Sequence, residues 1–221
     1  MNNRERFQAA MHYQPRDRSP IADFGFWEET IPFWHEQGLP EDVYFTYIAG
    51  NTEDFFGMDF GIDTIGIRVE SGLCPGFEEK TLEEHGNRII LQQSDGVIVE
   101  RDRFMSSIPK PIAHTLTDRA SWKKHFAPRL NPDTPERFPF DWNERVQLWK
   151  SPQREQVLAL PGGSLYGWLR NWMGMEQLSF MVYDDPAFFD EMVTTCADCI
   201  IGVLEKVFAS GVHFDGCGMW E

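Results

Sequence analysis

The chain is short of positive charge. Its 221 residues hold 20 Lys and Arg against 35 Asp and Glu, a formal net charge of -15. A field of that sign repels nucleic acid and anionic membrane, so neither is expected as a partner. A polyanionic small molecule would need a local basic pocket to override it. Long apolar runs are missing too. None approaches the ~20 residues needed to cross a bilayer. Met1-Asn2-Asn3-Arg4-Glu5-Arg6-Phe7 has no apolar core of the kind a secretory signal requires. Cysteine is scarce, with four in all. Without an export signal these read as reduced thiols, and the expected location is cytoplasmic.

Aromatic residues are plentiful, with 18 Phe and 8 Trp, and hydrophobic residues make up 42%. That composition is globular, and the length suits one large domain or two small ones. Residues 2–13 read as a short helix: Asn2 and Glu5 have capping-box spacing, and Phe7, Ala10 and Met11 share a face. The stretch 14–20 breaks it. Ile21-Ala22-Asp23-Phe24-Gly25 reads as a first buried strand. Residues 27–37 read as a helix stopped by Gly38 and Pro40. Phe56-Gly57-Met58-Asp59-Phe60-Gly61-Ile62-Asp63 is turn-rich, and 64–69 is strand-like. Residues 78–104 read as an antiparallel meander, with turns at Gly86-Asn87 and at Ser94-Asp95-Gly96. The proline-rich stretch 107–153 reads as irregular coverage with a short helix near 121–125.

From Gln156 the pattern becomes βα units. A buried run, 157–160, meets the turn Pro161-Gly162-Gly163-Ser164, then a helix over 165–183. A second helix, 186–210, opens with an acidic cap and Pro at its first position, and Gly211 closes it. Residues 212–220 read as a strand. βα units with an inserted meander predict an α/β fold of the (β/α)8 barrel class, one domain over 1–221. With about three βα units the chain is expected to stop short of a closed barrel. Alone it is expected to be inactive, to expose apolar faces and to fold poorly.

Barrels keep their chemistry at the C-terminal ends of their strands. Asp23 ends the first strand, Arg68 lies in the second and Glu221 ends the last. Two carboxylates with a guanidinium make an acid–base set with an anion clamp, or else structural ion pairs. Gly162 and Gly163 let a backbone approach a ligand at a helix N-terminus, or simply make a tight strand-to-helix turn. Neither a Walker sequence nor a dinucleotide fingerprint is present. His213, Asp215 and Cys217 alternate on a strand and are zinc-capable types. The outer two lie ~13 Å apart, which argues against a single site. Cys196 and Cys199 sit in mid-helix and read as packed thiols. No metal-ligand set is read within the chain.

The sequence resembles the uroporphyrinogen decarboxylase superfamily over nearly its whole length. The resemblance rests on Asn3-Arg4-Glu5-Arg6-Phe7 with Ala9-Ala10, on Pro15-x-Asp17-Arg18-x-Pro20, and on Trp27-x-Glu29-Thr30 with Trp34 and Gly38-Leu39-Pro40. It continues through Phe56-Gly57-x-Asp59, Gly163-Ser164-Leu165 to Leu169-Arg170-x-x-Met173-Gly174, Tyr183-Asp184-Asp185-Pro186 and Gly211-Val212. It implies a barrel with its site at the strand C-terminal ends and one of two chemistries. Decarboxylases of the family remove acetate carboxyls without a cofactor. Related methyltransferases move a methyl group between a corrinoid and a thiol, with zinc activating the thiol. The decarboxylases follow their first strand with an arginine-rich segment that grips carboxylates. Here that stretch is Phe26-Trp27-Glu28-Glu29-Thr30, which meets a polyanion with like charge. The resemblance therefore points to methyl transfer on a small molecule, with a corrinoid protein as partner. A decarboxylase, or a binding barrel without chemistry, is the alternative. Zinc ligands are expected beyond Glu221. Trp27 and Glu221 fall within matching stretches as substrate-binding and catalytic candidates; Asp23 and Arg68 rest on position.

Overall fold

Capping chemistry sets where the helices begin. In α1 (Asn3–Met11) the Asn2 side chain accepts from the Glu5 N–H at 2.8 Å, and the Glu5 carboxylate accepts from the Asn2 N–H at 3.0 Å. The computed structural model describes residues 1–23, 25–46, 49–61, 65–104 and 108–221; Phe24, Ile62, Asp63 and Thr64, which fall in expected strands or turns, lie outside them. The buried side of α1 is Arg6 and Ala9, and Met11 is exposed. The face expected from Phe7, Ala10 and Met11 is displaced because two carboxylates hold Arg6 inward.

β1 (Ala22–Asp23) pairs in parallel with β4 (Phe60–Gly61). Between them come α2 (Thr30–Glu36), the antiparallel pair β2 (Phe45–Thr46) and β3 (Ala49–Gly50), and α3 (Thr52–Phe56). α2 starts three residues later than its pattern predicts, because Trp27–Thr30 forms a turn closed by the Thr30 N–H on the Trp27 carbonyl. Phe26 meets Trp34 and Phe45 edge-on at 5.5 and 5.6 Å, building a small aromatic lobe.

The meander is as expected and one strand larger. β5 (Lys80–His85), β6 (Arg88–Gln92), β7 (Val97–Asp102) and β8 (Lys110–His114) pair antiparallel in chain order. Ile89, Leu91, Val97 and Val99 alternate onto one face and form their own cluster. Pro109 and Pro111 disguise β8 in the sequence. An edge strand tolerates them, and Pro111 sits opposite Val99 where the register shifts.

The stretch expected to be irregular also holds helix. α4 (Arg119–Ser121) runs into a π-helical turn over Trp122–Phe126, and α5 (Trp142–Trp149) follows. The expected helix over 165–183 is two, α6 (Tyr166–Met173) and α7 (Met175–Asp184), broken at Gly174 with φ +90°. A side chain there would also run into His114. α8 (Pro186–Ala209) begins as predicted, with Asp185 accepting from the Phe188 N–H at 3.0 Å, and Gly211 follows it at φ +72°.

β9 (Ala159–Pro161) pairs in parallel with β10 (Gly216–Gly218), and Gly66 makes a parallel bridge to Ala159. The strand expected over 212–220 is thus confined to three residues. Among the described residues these short parallel pairings do not close into a barrel. The main core lies between the π-turn and the last three helices. Trp122, Phe126, Leu169, Met173, Leu178, Met192 and Val203 are all essentially inaccessible there. Each such side chain stabilises the fold by roughly 1.5–3 kcal/mol.

Two buried carboxylates tie the N-terminus onto this body. Asp59 accepts from Arg6 at 2.7 Å, from both Nη of Arg18 at 2.6 and 2.7 Å, and from the Ile21 N–H at 2.8 Å. Arg6 also holds Asp17 through two bonds of 2.9 Å. Asp215 accepts from Arg4 and Gln8 at 2.8 Å, and from Arg154 and the Leu158 N–H at 3.1 Å. The second knot clamps α1 across the start of β9 and the approach to β10.

Candidate active-site cleft

A cavity of about 850 Å³ opens between the aromatic lobe and α5. Gly25, Phe26 and Phe45 form one wall, and Trp149 and Leu148 another. Arg68 lines it. Its backbone lies in the left-handed region at φ +55°, a conformation that costs a non-glycine residue of order 1–3 kcal/mol and clusters at functional sites. Its guanidinium forms no hydrogen bond or ion pair with a described residue. Across the cleft Asp141 pairs with Arg145 one turn along α5 at 2.7 Å. That guanidinium first, and Arg68 at longer range, hold the Asp141 carboxyl below its usual range.

Arg154 is the second unusual cation. Its side chain is 5% exposed. Nη2 donates to the His213 carbonyl at 2.9 Å and to Asp215. Nε and Nη1 are buried and meet no acceptor among the described residues. Burial, only partly offset by Asp215, pulls its pKa below the usual guanidinium value. The lining is mixed in sign: Glu53, Asp54, Asp141 and Glu144 face Arg68, Arg145 and Arg154. It suits a ligand with one anionic group, not a polyanion.

No family model, curated protein or solved structure matches the chain.

Of the residues singled out in the sequence, only Arg68 lines this cleft. Asp23 ends β1 beside it, its carboxylate accepting from the Gly25 N–H at 3.3 Å. Trp27 is half exposed and lies outside the cleft lining. A Cβ added at Gly162 would lie 2.7 Å from Cys217 and Met219, and one at Gly163 2.7 Å from Trp168, closer than a side chain tolerates. Gly163 also needs φ +68°. The close approach these glycines permit is to β10 and α6 of the same chain.

Glu221 sits at the α6 N-terminus. Its carboxylate accepts from the N–H groups of Leu165, Tyr166 and Gly167 at 2.9, 2.9 and 3.0 Å, and from the Ser164 hydroxyl at 3.3 Å. The anion expected at that helix start is thus the chain's own. The backbone bonds, from Leu165 foremost, hold its pKa below the ordinary value, so it stays ionised with its lone pairs committed. That is a capping role, not that of a proton donor. Glu221→Gln is expected to lower stability by about 0.3–1 kcal/mol near neutral pH. The contribution is present above the usual Glu range and fades as pH falls through the lowered folded value. Denaturant midpoints at pH 7 and pH 3 check this: the gap between the two proteins should shrink at pH 3.

Asp215 belongs to the α1 clamp and lies outside the strand that was to align it with His213 and Cys217. Among the described residues no three His, Cys, Asp or Glu side chains converge to hold a metal. Cys196 and Cys199 are free and fully buried in α8, and burial pushes the Cys196 thiol up to about 12. Sequence reasoning missed Arg154 and the Asp141–Arg145 pair. The i, i+4 spacing of the latter was a readable signal of α5. No described helix is long and apolar enough to cross a membrane.

Proposed function

We propose that the chain belongs to a (β/α)8-barrel enzyme of the uroporphyrinogen decarboxylase superfamily that transfers a methyl group between a corrinoid protein and a thiol. The observation that carries the barrel reading is the parallel sense of every pairing that joins distant βα segments: β1 with β4, Gly66 with β9, and β9 with β10. The meander then stands as an insertion between parallel strands. Methyl transfer is favoured over porphyrinogen decarboxylation by the cleft. Its carboxylates match its guanidiniums in number or better, so eight substrate carboxylates would be repelled there. Phe26, Phe45 and Trp149 supply apolar wall, and Arg68 supplies a cation for the acceptor's anionic end. Zinc belongs to this reading as the group that would activate the thiol. Among the described residues no set of ligands for it converges.

A second reading has its own support. Arg68, which forms no hydrogen bond or ion pair with a described residue, and Arg154, whose Nε and Nη1 meet no acceptor among the described residues, favour a substrate carboxylate, so a decarboxylase of a smaller acid is the alternative. The assay uses the purified protein. With methylcobalamin and a thiol acceptor, methyl transfer predicts thiol-dependent loss of the methyl–cobalt absorbance. Arg68→Ala should lower kcat/KM at least about tenfold, the scale of one charge-assisted contact. Carbon dioxide release from a carboxylic acid, with no demethylation, overturns methyl transfer. An unchanged kcat/KM for Arg68→Ala removes the cleft from the reaction.

A further inference from the structure

In the knot that clamps α1, two cations share one carboxylate. Asp215, 1% exposed at its side chain, accepts from Arg4 Nε at 2.8 Å and from Arg154 Nη2 at 3.1 Å. Neither guanidinium pairs with another carboxylate among the described residues. The knot therefore carries one positive charge in excess, inside a chain whose formal net charge is -15. Burial foremost, with Asp215 opposing it and the like charge of Arg4 adding to it, pulls the Arg154 guanidinium below its usual pKa.

Arg154 is the one cation of this knot that lines the cleft. We propose that an anion bound in the cleft supplies the second counter-charge of the knot, and that its binding tightens the seating of α1. The proposal rests on the reading of the cleft as a site for a ligand with one anionic group.

The link is electrostatic. Nε and Nη1 of Arg154 are packed out of reach of solvent, so the ligand touches Arg68 and meets Arg154 as a charge in the wall. Charges about 10 Å apart still interact appreciably where water is excluded. Arg4 reaches the knot from α1 and does not line the cleft. It adds to the positive potential there only while α1 is seated. An anion therefore binds the seated state more tightly and, by reciprocity, favours it. Gln8, one turn beyond Arg4, donates to the same Asp215 Oδ1 at 2.8 Å, so α1 is held at two points.

The test needs no turnover. Calorimetric titration uses phenylacetate, whose ring suits the aromatic wall, and its neutral amide, phenylacetamide. The acid should saturate below about 10 mM and the amide should bind at least about tenfold more weakly. Arg68→Ala should weaken the acid at least about tenfold. Arg4→Met, checked by circular dichroism to be folded, should weaken it at least about threefold, and Arg4→Lys should retain it. Arg16→Met removes an exposed charge from the same N-terminal segment and should change nothing. In the wild-type protein, bound acid should slow amide hydrogen exchange across α1. Wild-type affinity in Arg4→Met, equal losses in Arg4→Met and Arg16→Met, or α1 exchange indifferent to the acid overturns the coupling and leaves the cleft an anion site. An acid that does not saturate, binds no better than the amide or ignores Arg68→Ala overturns the anion reading of the cleft and the coupling with it.

Discussion

Asp215→Ala is expected to lose about 3–5 kcal/mol of stability, the usual result of removing one partner from a buried ion pair. The Asp215 side chain is 1% exposed and has four donors on its two oxygens. Without it, Arg154 keeps a buried charge whose Nε and Nη1 already lack acceptors. Arg4 is more exposed and can turn to solvent. The loss therefore falls mainly on Arg154. Arg154→Met in the Asp215→Ala background should recover part of it, because it removes the orphaned charge and leaves an apolar stem. Asp215→Asn should stay close to the alanine variant, since its amide would point a donor at one of four donors. Urea midpoints of the single and double variants give the coupling directly. Additive single effects would mean that the clamp on α1 is packing and not charge.

Local signals in the sequence carried the elements whose causes are local. The Asn2–Glu5 box, the Asp185-Pro186 start and the turns at Gly86 and Gly96 each act within a few residues, and all four stand in the structure. β8 and α5 were hidden because proline reads as a breaker, while an edge strand and a helix preceded by Pro139 both tolerate it. The break at Gly174 answers to His114, 60 residues earlier in the chain, which no window along the sequence reveals.

The site was less legible for the same reason. Arg68 stood out by position, but its left-handed backbone is a tertiary feature. Glu221 was readable as an acid at a strand end. Its role was not, because its three N–H donors come from 54–56 residues upstream. Arg154 gains its meaning only from burial beside Asp215. The motifs behind the family resemblance show a pattern of their own. Arg6, Asp17, Arg18 and Asp59 all sit in one knot, away from the cleft. Those residues seat α1 and the start of β1. In this structure they bear on the fold.

That knot sets the other large effect. Asp59→Ala should cost about 3 kcal/mol, near the lower end for a buried pair because Arg18 stays part-exposed and can rehydrate. Arg6, 8% exposed at its side chain, keeps Asp17 as a partner. The pH dependence distinguishes charge from packing. Arg18 first, then the Ile21 N–H and Arg6, hold the Asp59 carboxyl below its ordinary range, against the opposing effect of burial. A depressed carboxylate stabilises the fold fully above its unfolded value and loses that contribution as pH falls through the folded one. The wild-type chain should therefore lose stability steadily from about pH 5 downward. Asp59→Asn, destabilised at pH 7, should show a shallower slope over that window. Parallel slopes for the two proteins would assign the acid lability to other carboxylates, with Asp17 on the same knot the first to test by Asp17→Asn.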